Sequence, residues 1–275
     1  MPSSRDRLHL YVLASGSKGN CSIVAGPDGL VMVDDGLPRR EVLSRMGACG
    51  LSPHDIRALV LTHEHGDHTG GIAVLHRAFP MELFASVGST EMRRALRELP
   101  FHHFIPGEKL ELAGMVVDTF PTSHDVANPV GFRFSRNGDA IGYATDTGMM
   151  TDAMREGLRD ARIVALESNH DASMLRCGPY PRYLQDRISS DRGHLSNEQA
   201  ARAAVEVVGE RTEHVVAMHI SQENNRPSLA VRALAAALGA NLDDEIGSSA
   251  TLSRDGDAAD LHIRAAGQNR PIAIL

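Results

Sequence analysis

The stretch Thr62-His63-Glu64-His65-Gly66-Asp67-His68 constrains this 275-residue chain more than any other. Four potential metal ligands fall within six positions, directly behind the apolar run Ala58-Leu59-Val60-Leu61. Neither a regular helix nor a strand aims all four side chains at one point. The spacing therefore predicts a tight loop behind a buried strand, with Gly66 supplying backbone freedom. Three imidazoles and one carboxylate suit zinc, manganese or iron, whereas calcium prefers all-oxygen shells. A His-rich polar surface loop is the bland alternative, and the buried-strand pattern in front of the motif argues against it.

Composition removes other classes. The chain is 42% apolar and 23% charged, ordinary for a globular protein. Its net charge of −7, lack of Trp and 4% aromatic content offer neither a bulk pull toward nucleic acid nor a base-stacking surface. Bound metal ions would add local positive charge that this count omits. Cys21, Cys49 and Cys177 have no paired-ligand spacing and read as reduced thiols. The N-terminus lacks a signal-like apolar core, and no apolar run is long enough to span a bilayer. The expectation is a cytoplasmic protein with no membrane partner; protein partners are not legible.

Strand and helix signals alternate along the chain. Leu8–Leu13 and Cys21–Val24 flank a Gly/Ser loop, and Pro27-Asp28-Gly29 turns into the strand Leu30–Asp34. Pro38–Met46 reads as a helix closed by Gly47, Ile72–Phe79 and Ser89–Leu99 as further helices, and Leu83–Ala85 as a short strand. Met115–Phe120 is a strand, and Val130–Ser135 pairs with Ala140–Ala144 across Asn137-Gly138. Ile163–Leu166 and His214–Met218 are apolar strands. Ser196-Asn197-Glu198-Gln199 is a capping box in front of a helix, and Ser228–Leu238 is a last helix ending at Gly239. No repeat or linker divides this order, so a single domain over residues 1–275 is expected, with a core of about residues 8–240. Residues 241–275 read as a weakly patterned tail with at most an edge hairpin near Asp255-Gly256.

Further ligand types follow predicted strands: His124 after Met115–Phe120, Asp146 after Ile141–Thr145, and His219 after Val215–Met218. Each alone is an ordinary polar residue at a strand exit; together, in order behind the His loop, they form a pattern. That pattern resembles the metallo-β-lactamase superfamily, over at least Leu8 to Leu229. The resemblance implies an α+β fold, an αβ/βα sandwich of two mixed sheets with outer helices and a site at the sheet edges. It implies two divalent metal ions per chain (Zn, Mn or Fe). His63, His65 and His124 would hold one ion, Asp67, His68 and His219 the other, and Asp146 would bridge them. Asp34 resembles the superfamily's early structural Asp. Metal-assisted hydrolysis follows, in which Asp67 also orients the nucleophile. Glu64 stays open between catalysis and a solvent-facing or supporting place.

Residues outside this core bear on the substrate. Asp146 and the missing signal peptide count against lactam hydrolysis. The segments Glu167–Asp171, Ser189–Asn197 and His219–Asn225, with the opening Ala14–Cys21, resemble the YycJ/WalJ-type branch, which is associated with 5′-to-3′ exonuclease action on double-stranded DNA. The Glu167 and His194 pairing is similar to motifs of tRNase Z. His194 precedes the capped helix, whose free N–H groups would favour a phosphate oxygen. It is the expected proton donor, held by Glu167; capping the helix is the plainer role. Ser17, Asn20, His170 and Asn224 are the expected substrate contacts, although Ser15–Asn20 could equally be a plain hairpin. Arg182, Arg187 and Arg192 could grip a nucleic-acid backbone or be solvated. His9, His54, His76, His102, His103 and His262 read as surface histidines, the pair at 102–103 within a turn-like loop. The leading expectation is a dinuclear phosphodiesterase acting on nucleic acid, a DNA exonuclease. Its rivals are a hydrolase of a cyclic phosphodiester or thioester and a non-catalytic metal-binding regulatory protein.

Overall fold

Short apolar runs separated by Gly turns build two mixed sheets flanked by helices, the fold class the sequence predicts. The structure is a computed structural model and describes residues 7–256 and 258–275. The chain divides into two compact units. One comprises the described residues up to Pro121, Val126–Ala140 and Gln268–Leu275; the other comprises Thr122–Asp125 and Ile141–Gly267.

In the first unit, β1 (His9–Ala14), β2 (Cys21–Gly26) and β3 (Gly29–Val33) form an antiparallel meander. Three strands then add in parallel: β4 (Ile56–Leu61), β5 (Glu82–Ser86) and β6 (Phe101–Phe104). Parallel neighbours need crossovers, supplied by α1 (Arg39–Ala48), then α2 (Gly66–Thr69) with α3 (Ile72–Ala78), then α4 (Arg94–Arg97). β7 (Lys109–Leu112), β8 (Met115–Pro121) and β9 (Val130–Arg136) make an antiparallel ribbon. Asn137 and Gly138 turn the chain after β9 with φ of 45° and 86°, as the Asn-Gly signal predicts. Leu13, Ile23, Met32, Leu59 and Leu83 are fully or almost fully buried in this unit's core.

In the second unit, β10 (Asp139–Ala144), β11 (Ile163–Glu167) and β12 (His214–Met218) run parallel, in the register Ala144↔Leu166↔Ala217. The helices here are α5 (Asp152–Leu158), α6 (Ala172–Cys177), α7 (Arg182–Ile188), α8 (Asn197–Val207) and α9 (Pro227–Leu238). The capping box at Ser196 and Gln199 forms, and Gly239 ends α9 in the left-handed conformation at φ 73°. Parallel register has a direct consequence. Residues that leave neighbouring strands at their carboxyl ends emerge side by side, the usual place for a site in α/β sheets.

Several expectations change. The tail from Asn241 forms four strands: β13 (Asn241–Leu242), β14 (Ser249–Leu252), β15 (Leu261–Ala265) and β16 (Ile272–Ile274). β15 pairs with both β12 and β14, so it is interior to its sheet, and β16 pairs with β1. Only Leu261 and Ile263 of β15 are buried among polar neighbours, which is why the pattern is faint. Ser89–Leu99 is helical only at Arg94–Arg97. The Ser89 hydroxyl donates to Ser86 O at 2.7 Å, a local bond that competes with helix, and Leu96 is the one fully buried apolar side chain of the helical turn. His102 and His103 lie on β6, exposed as expected but in a strand. α1 continues through Gly47 to Ala48. Residues 66–69 form one helical turn, and Gly66 has no positive φ.

The interior place of β15 yields a test. Ile263→Ala should cost about 2–5 kcal/mol in urea unfolding, as a cavity in a buried strand does, while Ile246→Ala, 75% exposed in the same tail, should change stability by less than about 0.5 kcal/mol.

Candidate functional site

In the first unit, Asp34 leaves β3 and Thr62 leaves the adjacent parallel strand β4. Asp34 is fully buried in the left-handed region, φ 59°, which folds its carboxylate back over the strand ends. Its Oδ1 accepts the Thr62 N–H at 2.8 Å, and its Oδ2 accepts the Thr62 hydroxyl at 2.7 Å. The same Oδ2 lies 2.7 Å from His68 Nδ1. Because the Thr62 hydroxyl gives its proton to Asp34, its oxygen is left to accept from His63 Nδ1, 3.0 Å away. The His63 ring centroid lies 4.7 Å from that of His65 and 4.1 Å from that of His68, and Asp67 Oδ2 lies 3.6 Å from His68 Nε2.

In the second unit, Asp146, Glu167 and His219 stand at the carboxyl ends of β10, β11 and β12. Asp146 and His219 again have positive φ, 54° and 52°. Asp146, Glu167, His194 and His219 each place one ligand atom within 4.8 Å of the others. Glu167 is fully buried and organises this cluster. Its Oε1 lies 2.8 Å from His194 Nδ1 and 3.1 Å from His219 Nδ1, and its Oε2 accepts the Thr147 and Leu195 N–H groups, each at 3.0 Å. Burial alone would raise the Glu167 pKa. The His194 charge and the hydrogen bonds from His194 and His219 outweigh it, so the carboxyl is held below its ordinary value. The Thr145 hydroxyl donates to Asp146 Oδ2 at 2.8 Å, and His124 Nδ1 meets Gly193 O at 3.0 Å.

These contacts decide a tautomer. Carboxylate and carbonyl oxygens cannot donate, so His68, His124, His194 and His219 carry a proton on Nδ1, as does His63 opposite the committed Thr62 hydroxyl. The Nε2 atoms of His63, His68, His124 and His219 are thereby left with a lone pair, the arrangement of metal-bound histidines whose other nitrogen donates to an oxygen. In each unit, these imidazoles with one carboxylate, Asp67 in the first and Asp146 in the second, are of the donor types that fit a divalent transition metal.

Other expected residues find definite places. Asn20 is buried: its Oδ1 accepts Gly16 N–H at 2.8 Å, and its Nδ2 lies 2.9 Å from His68 Nε2 and 3.3 Å from Asp67 Oδ2. Ser17 is exposed on the same loop. His170 is buried beside a cavity of about 60 Å³ also lined by Arg176, Gln185 and Ser189, and burial pushes its imidazole below the ordinary value. Asn224 is buried against Gly178, and its carbonyl accepts the Asp171 N–H. Arg187 pairs with Asp125 and Arg182 with Asp186, while Arg192 donates to His124 O at 3.3 Å through Nη2. Glu64 is buried rather than solvent-facing, and its Oε1 accepts the Ala127 N–H at 3.0 Å.

Two expectations need correction. The N–H groups of Asn197 and Gln199 at the start of α8 go to His170 O and Ser196 Oγ, so the capping that makes the helix legible also removes them from any phosphate. Gly66 serves close approach instead of backbone freedom: a Cβ there would meet Arg93 Nη2 at 2.7 Å. Thr62 and Thr145 have no role in the sequence reading. Thr62 and Thr145 directly precede ligand candidates at strand exits, which is the signal that could have found them.

Residues 27–220 match the Beta-lactamase superfamily domain. The chain is 35% identical over 227 residues to the exodeoxyribonuclease YycJ of Bacillus anthracis, covering 81% of this chain and 86% of that protein. It is 34% identical over 225 residues to the exodeoxyribonuclease WalJ of Streptococcus pneumoniae, covering 80% and 84%. The metallo-β-lactamase fold protein YhfI of Bacillus subtilis shares the fold with a TM-score of 0.68 and 13% identity, over 97% of this chain and 100% of that one. Human short-form tRNase Z gives 0.57 and 17%, over 78% and 93%.

Asp34→Asn preserves shape and left-handed backbone while weakening the grip on His68 and Thr62. It should lower divalent-metal affinity about 10–100-fold in chelator competition, with an unchanged far-UV circular dichroism spectrum.

Proposed function

This chain belongs to the beta-lactamase superfamily of metal-dependent hydrolases, and from that premise we propose that it is a phosphodiesterase that degrades double-stranded DNA exonucleolytically, 5′ to 3′. The observation that carries this reading is the 34–35% identity to two exodeoxyribonucleases, sustained over 80–81% of the chain. The His194–Glu167 pair supports it, because a phosphodiester has a poor alkoxide leaving group that needs a proton.

His63, His65 and His124 would hold one divalent ion, Asp67, His68 and His219 a second, and Asp146 would bridge the two. Such a pair, when bound, supplies a water nucleophile at neutral pH and stabilises charge developing on the phosphoryl oxygens. Asp67, aimed by Asn20 Nδ2 at 3.3 Å, orients the nucleophile. His194 carries a second proton on Nε2 and delivers it to the departing alkoxide. Glu167, on Nδ1, keeps the ring in place. His194 Nε2 makes no hydrogen bond or ion pair among the described residues, so the proton can reach a substrate. Ser17, Asn20, His170 and Asn224 are the proposed substrate contacts, Ser17 from the loop surface and the other three from buried positions.

The test is incubation of the Mn-loaded protein with end-labelled linear duplex DNA, with Asp67→Ala as the contamination control. Stepwise release of nucleotides by wild type alone is expected, and the label position reports polarity. Intact DNA with both Mn and Zn would overturn the nuclease reading and leave a small phosphodiester or thioester as substrate. Asp67→Ala should also lose metal. His194→Gln should lower kcat by about 10²–10⁴-fold with metal content unchanged; loss of metal in that variant would sink the proton-donor role.

A further inference from the structure

The segment between β5 and β6 sends one arginine onto the metal-ligand loop. Arg93 is half-buried, and its Nε–H donates to Glu64 O at 2.6 Å, between the ligand candidates His63 and His65. Its Nη2 lies 2.7 Å from where a Gly66 Cβ would stand, and Nη1 3.4 Å, so the end of the guanidinium packs against the one residue of the loop that has no side chain. Neither terminal nitrogen makes a hydrogen bond or ion pair among the described residues. The neighbouring acid does not neutralise it: Glu64 Oε1 is committed to Ala127 N–H, and Glu64 Oε2 has no hydrogen-bond partner among those residues. A positive charge is thus fixed by one nitrogen beside the ligand loop, with its two-pronged end unused.

We propose that Arg93 is a substrate-binding residue that grips a phosphate of the nucleic-acid backbone next to the scissile one; this rests on the phosphodiesterase reading above. The chemistry needs arginine. Only a guanidinium can spend Nε–H on a backbone anchor and still offer two terminal groups to the oxygens of one phosphate, whereas a lysine ammonium is a single point charge. Gly66 completes the device, since any side chain there would displace the fork. Net charge of −7 makes such a fixed local cation more important to a polyanionic substrate than it would be on a basic protein.

The experiment uses full-length, metal-loaded protein and a fluorescent duplex with a nuclease-resistant phosphorothioate backbone, with binding read by anisotropy across a KCl series. Arg93→Gln, which keeps a donor for Glu64 O but loses the charge, should weaken binding roughly ten-fold or more. It should also reduce the slope of log affinity against log salt by about 0.9. Arg93→Lys should keep the slope while losing part of the affinity. Arg94→Gln, at the exposed neighbour, should have the smaller effect. Three results would overturn the proposal: unchanged binding by Arg93→Gln, equal losses in Arg93→Gln and Arg94→Gln, or metal depletion in Arg93→Gln, which would mark a structural role. Failure of wild type itself to bind the duplex would instead refute the nucleic-acid reading on which the proposal stands.

Discussion

The buried carboxylate of Asp34 is the interaction on which the His-rich loop after β4 depends. Two oxygens serve a backbone N–H, a hydroxyl and an imidazole from the next strand. Through Thr62 the same charge fixes the ring of His63 as well as that of His68. A lone buried carboxylate would be costly, and its partners are what make this one tolerable. Removing it would leave a hydroxyl and an imidazole N–H without acceptors at the point where the loop must be most rigid. Glu167 has the corresponding office in the second unit, with two imidazoles on one oxygen and two backbone N–H groups on the other. Both supports follow from parallel strands ending in register.

Much of this was legible in the sequence because it depends on short-range signals. The apolar strands, the Asn137-Gly138 turn and the Ser196 capping box are all local, and all form as read. What escaped is decided by partners far along the chain. β15 is buried only because β12 and β14 flank it, and Leu261 and Ile263 are too few to announce an interior strand. The Ser89–Leu99 segment has helix formers, yet the Ser89 hydroxyl closes a turn first. Gly66 reads as backbone freedom for a tight loop, and its reason is Arg93, 27 positions later. The same limit explains Glu64, whose burial depends on Ala127.

Capping and anion binding would compete for the same N–H groups at α8. A well-capped helix announces itself in sequence, but the cap uses the N–H groups that would otherwise bind an anion. His194, just ahead of that cap, is held by Glu167 and not by the helix end.

The positive φ angles of Asp34, Asp146 and His219 restrict chemistry as well as shape. Outside glycine, the left-handed region is populated mainly by Asn, Asp and His. Of the residue types that bind transition metals, glutamate and cysteine are therefore disfavoured at these positions by the backbone alone. At Asp146 and His219, the two of these positions that are ligand candidates, the backbone favours imidazole and short carboxylate, and a redesign toward a thiolate there would have to rebuild those strand exits before it changed either donor.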